Sequence, residues 1–135
     1  MIFETWQADA DGRFADVHDH GGPSSSSDFR GFARYGLEDG DGSFDILTVK
    51  PGQGPGLAGT MQAPHIDVSV FARGMLHRSV TRVYFADEAE ANAADPVLAR
   101  VPVERRATLL ADPVDGGYRF DIRFQGPHET VFFAV

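Results

Sequence analysis

The residues best placed to do chemistry sit in one stretch, MQAPHIDVSVFARG at positions 61–74. Pro64 bars a helix there, so the run from His65 to Arg73 reads as a strand that stops at Gly74. Alternate side chains of a strand share a face. His65, Asp67, Ser69 and Phe71 then lie on one side, with Arg73 returning to it at the end. Ile66, Val68, Val70 and Ala72 lie on the other. An imidazole, a carboxylate and a hydroxyl in one row suggest two chemistries. The first is a Ser/His/Asp relay, but same-face neighbours stand about 7 Å apart, beyond direct relay, and no nucleophile elbow surrounds Ser69. The second is a metal. H-x-D supplies two ligands on one face, a start on a non-haem iron site, to which His18, His20 or Tyr35 would have to add. Spacing alone favours a plainer state, a buried histidine held by hydrogen bonds.

Three other stretches invite a chemical reading and support it less. His18-Asp19-His20 has ligand types, but it lies in a loop of glycines and four serines that fixes no geometry. LEDGDG at 37–42 has carboxylates and glycines without the alternating ligands and closing Glu of an EF-hand, so it reads as a hairpin turn. QGPGLAG at 53–59 has neither a GxGxxG nor a GK[ST] pattern and no helix after it, so it reads as a plain loop.

The elements that must position these residues are strands. Residues 1–10 alternate with period two, and Asp9, Asp11 and Gly12 turn the chain. Further strands are expected at 31–36, 43–49, 75–85, 108–111, 118–124 and 129–135. A short helix capped by Asp87 is expected near 87–93, a surface turn at 104–107 and a hairpin turn at Asp115-Gly116-Gly117. Short strands with regular turn signals make the chain all-β, a β-sandwich in a single domain over residues 1–135. Among 135 residues, 42% are apolar and no apolar run spans a bilayer. A net charge of −8 argues against nucleic-acid or anionic-membrane partners. Cysteine is absent, so disulfides and thiolate metal sites are excluded. The start of the chain has no basic-then-apolar pattern, and a cytoplasmic location is the expectation.

Five segments in order, TWQADADGR (5–13), TVKPG (48–52), APHIDVSVFARG (63–74), TRVYFADEAEANAADPVL (81–98) and YRFDIRFQGPHETVFF (118–133), resemble the intradiol ring-cleavage dioxygenases. Within that family they look like the α-type chains of the branch that acts on protocatechuate. The resemblance implies a β-sandwich built to hold ferric iron with two tyrosines and two histidines. It puts those four positions at Phe14, Gly54, His65 and Asp67, and puts Gln62 where the family has an arginine that steadies the substrate. One ligand of four survives, so the resemblance implies no metal and no catalytic residue in this chain. It implies instead an α-type subunit beside a β subunit that carries the ferric iron. Protocatechuate and O2 would meet in the shared cleft, with Arg73 directed toward the substrate carboxylate. It also implies a segment upstream of residue 1 that this chain lacks. The alternative is a non-enzymatic interaction module on the same scaffold.

Overall fold

The computed structural model describes residues 2–12, 31–36, 42–55, 61–71 and 78–133. It is all-β and sandwich-like. Among the described residues there are eight strands: β1 (Ile2–Gln7), β2 (Phe32–Gly36), β3 (Gly54–Pro55), β4 (Met61–Gln62), β5 (His65–Phe71), β6 (Ser79–Phe85), β7 (Leu110–Val114) and β8 (Gly117–Arg119). Six of them make one sheet in the order β2-β1-β5-β6-β7-β8, and β3 pairs with β4 apart from it. The ladder is antiparallel except at β6–β7. A six-residue helix, α1 (Ala89–Ala94), and two 3₁₀ helices, Leu98–Arg100 and Val103–Leu109, fill the crossover between those two strands, as a parallel pair requires.

β5 is central because it has apolar residues on one face and tolerates polar ones on the other. Its Ile66, Val68 and Val70 join Phe3, Phe85 and Ala111 in a core on one side of the sheet. Each of these side chains larger than alanine contributes about 1.5–3 kcal/mol by leaving water. The alternation that turns Val83 and Phe85 toward that core turns Tyr84 the other way. Tyr84 packs there with Ala63, Leu98, Val101 and Leu109 in a second cluster. Register fixes the site: Asp67 stands opposite Trp6 on β1 and Arg82 on β6, and His65 stands opposite Tyr84.

Several expected elements differ. Residues 43–50 form no regular strand; the segment is largely exposed and is anchored through Thr48 Oγ1 to Gln7 Oε1 (3.0 Å), Gln7 Nε2 to Val49 O (2.6 Å) and Phe44 against Phe3. Without a paired neighbour among the described residues, its alternation has no ladder to join. The 53–59 loop contributes a two-residue strand instead. Residues 104–107 lie in a 3₁₀ helix, not a surface turn, and that helix takes up Thr108 and Leu109, so β7 starts at Leu110. The strand expected at 118–124 pairs only as far as Arg119, and of the one expected at 129–135 the described residues show a bridge between Phe133 and Val80. The helix near 87–93 is present, but Glu88 is its N-cap and makes no side-chain cap bond. Asp87 instead accepts from Tyr118 OH (2.6 Å) and Lys50 Nζ (3.4 Å).

Candidate functional site

The polar row of β5 is held by a chain of hydrogen bonds that begins below the strand. Asp95, fully buried, accepts from Ala63 N (2.8 Å), Tyr84 OH (3.0 Å), Val97 N and Leu98 N (both 2.9 Å). Four donors compensate a carboxylate that would otherwise be costly to bury. The Ala63 bond fixes the backbone two residues before His65. The His65 ring then turns back on that residue, with Nδ1 2.8 Å from Ala63 O. A carbonyl only accepts, so Nδ1 carries the proton and Nε2 is the nitrogen left for the site.

Arg82 completes the row from β6. Its Nε meets Asp67 Oδ1 at 3.0 Å, and its Nη1 donates to Gln62 Oε1 (2.7 Å) and Tyr84 OH (3.2 Å). Burial opposes its charge, but the bond to Tyr84 and the fields of Asp67, Tyr84 and Asp95 outweigh it, and the guanidinium pKa rises. Burial likewise pushes the Tyr84 phenol up, with Asp95 adding to it against the opposing guanidinium. Tyr84 therefore stays a neutral donor to Asp95. His65 Nε2 lies 3.7 Å from Asp67 Oδ2, a loose contact beside the tight Arg82 pair.

Gln62, His65, Asp67 and Arg82 line a cavity of about 90 Å³ with Ala8, Gly52 and Gly54. It is far below the ~300 Å³ at which ligand pockets begin. A second hollow, about 260 Å³, lies by β7 and β8, where the charged residues Arg119, Asp121 and Arg123 pair with one another. The first cavity is bounded at Gly54 and Gly52 by a close backbone crossing. A Cβ on Gly12, at φ +82°, would meet Gln53 O at 1.9 Å, and one on Gly52 would meet Ala10 O at 2.4 Å.

The residues expected to share a face do so: His65, Asp67 and Ser69 alternate with buried Ile66, Val68 and Val70. Gly54, eleven positions before His65, and Gln62, three before it, come to the same cavity. Tyr35 does not. It faces the apolar core, stacked 5.5 Å from Phe44, and cannot add to His65 and Asp67. Phe14, His18, His20 and Arg73 lie outside the described residues. Arg82, Tyr84 and Asp95 are the site residues that sequence reasoning missed. Alternation placed Arg82 and Tyr84 together on one face, but only the register brings that face beside Asp67.

The donor set does not fit a ferric ion. Gly54 has no side chain, His65 supplies one nitrogen, and the Asp67 carboxylate is already paired with a guanidinium. Among the described residues no three His, Cys, Asp or Glu side chains gather in a metal-binding group.

No protein-family model matches the chain. Curated relatives do. The protocatechuate 3,4-dioxygenase alpha chain of Burkholderia cepacia is 51% identical over 99% of this chain and 68% of its own length. The alpha chain of the same name from Pseudomonas putida is 46% identical over 98% of this chain and 66% of its own length. The protocatechuate 3,4-dioxygenase beta chain of Burkholderia cepacia is 30% identical over 96% of this chain and 58% of its own length. This chain thus spans about two thirds of the length of the alpha chains it matches. Sequence identity along nearly the whole chain leads to one assignment: the chain belongs to the protocatechuate 3,4-dioxygenase family, on its alpha-chain side.

Proposed function

We propose that this chain is the alpha subunit of a protocatechuate 3,4-dioxygenase, folded as one domain over residues 1–135 and working beside a beta subunit in the cytoplasm. No helix of the described residues is long and apolar enough to cross a membrane. The observation that carries the reading is the pairing of alpha-chain identity with a donor-poor site. The chain is 51% identical to a named alpha chain, and its cavity is too small for an aromatic substrate and has no tyrosine at Gly54. Intradiol cleavage of protocatechuate by O2 to 3-carboxy-cis,cis-muconate then belongs to a ferric site on the beta subunit. This chain supplies part of the wall around the shared cleft.

Arg73 is the residue we assign to substrate. In the sequence it follows Phe71, the last residue of β5, by two positions. A guanidinium there can grip the substrate carboxylate with two parallel hydrogen bonds, which orients the ring without touching the reacting carbons.

The test is co-expression with a beta chain. The two chains are expected to co-elute, and oxygen uptake on protocatechuate is expected to require both. In that complex Arg73→Ala is expected to raise KM for protocatechuate about tenfold, as the loss of one charge-assisted pair, with a smaller change in kcat. An unchanged KM removes the role given to Arg73. Separate elution of the two chains favours an interaction module that kept the scaffold and joins no dioxygenase.

A further inference from the structure

We propose that Arg82 is the resident cation of the β5 cavity: its guanidinium neutralises Asp67 in place of a bound metal ion and keeps the His65/Asp67 pair from ligating one. This inference concerns the cavity alone and does not depend on the subunit reading above.

A row of polar side chains on a central strand has to be compensated. Asp67 is about one-third exposed, and its partly buried carboxylate is compensated by a positive charge beside it. Arg82 supplies that charge from the facing strand, 3.0 Å from Asp67 Oδ1, with its side chain 19% exposed. The same guanidinium donates to Gln62 and to Tyr84, so its position is set from three directions. Those contacts engage the acceptors around it. Gln62 Oε1 is bonded, and Tyr84 OH accepts from Arg82 while donating to Asp95. A cation held between His65 Nε2 and Asp67 Oδ2 would then have two protein donors and a guanidinium on the same carboxylate. Like charges at ion-pair spacing repel strongly in a half-buried site. The Asp67–Arg82 pair is therefore internally neutral, and strands β4, β5 and β6 are tied together by one side chain where a metal centre would have needed several ligands.

The experiment is a titration of the purified 135-residue chain with Co2+ alone, followed by visible absorbance and thermal shift. Binding is assigned to the cavity when His65→Asn abolishes it, because the other histidines can hold Co2+ elsewhere. The wild-type chain is expected to show no such binding up to about 1 mM. Arg82→Met, which keeps the bulk and removes the charge, is expected to bind Co2+ at least about tenfold more tightly, once Asp67 is free to ligate. Arg82→Met with Asp67→Asn is expected to lose that gain. His65-dependent binding at micromolar Co2+ in the wild-type chain overturns the proposal, and so does a folded Arg82→Met chain as blind to Co2+ as the wild type. If Arg82→Met does not fold, Arg82→Lys decides with the wild type. It keeps a charge while losing the fork, and His65-dependent Co2+ binding by that variant also overturns the proposal.

Discussion

Asp95 does more for this site than any residue that faces it. Its four hydrogen bonds join the start of β5, the Tyr84 hydroxyl and the first turn of the following 3₁₀ helix. Asp95→Ala strands four donors in the interior and is expected to cost about 3–5 kcal/mol in urea unfolding. Asp95→Asn retains an acceptor for some of them and is expected to cost about half as much. A loss below 1 kcal/mol for the alanine variant would show that water replaces the carboxylate. At this scale the sequence was partly legible. Period two was enough to put His65, Asp67 and Ser69 on one face, because one slip would have turned Ile66, Val68 and Val70 to water. Nothing local marked Asp95 beyond the proline after it, and nothing marked the Arg82–Asp67 pair, since the two residues meet only through the register of two strands. Arg73 and Phe14 were singled out by resemblance, and both lie outside the described residues.

At the scale of elements, the turns were easier to read than the segments between them. The Asp115-Gly116 turn closes the β7–β8 hairpin as its residue types require, with Gly116 at φ +81° in open space. Gly116→Ala is expected to cost about 1 kcal/mol, the price of a left-handed backbone alone. Gly12→Ala meets the same strain and a carbonyl at 1.9 Å, so thermal unfolding is expected to show a loss of about 2–3 kcal/mol and a cavity wall displaced at Gln53 and Gly54. Equal losses at the two glycines would deny the close crossing. Residues 43–50 misled because alternation is a property of side chains, while a strand also needs a neighbour. The helix α1 was legible, but its cap was not, because Asp87 is drawn to Tyr118 and Lys50. The Tyr118 hydrogen bond first, and the Lys50 charge after it, hold the Asp87 pKa below the usual carboxylate value. A depressed folded-state pKa stabilises above the unfolded value, about 3.9, and the benefit fades as pH falls through the folded one. The Tm difference between wild type and Asp87→Asn is therefore expected at pH 7 and absent at about pH 2. A difference that persists in acid would place the effect elsewhere.

On the scale of the whole molecule, composition set only bounds: one core, no thiol chemistry and a strongly acidic surface. Order along the chain was more informative. Five segments in sequence pointed to one family, and alpha chains at 51% and 46% identity bear that out. In the described sheet the Arg82–Asp67 pair and two glycines line a cavity of about 90 Å³. The proposed division of labour puts iron in one chain type and a substrate-facing wall in the other. The most direct measurement is iron per chain, by metal analysis and visible absorbance, on this chain alone and on its complex with a beta chain. A colourless, iron-free chain is expected, with about one ferric ion per alpha–beta pair. Stoichiometric ferric iron with tyrosinate colour in this chain alone would contradict it.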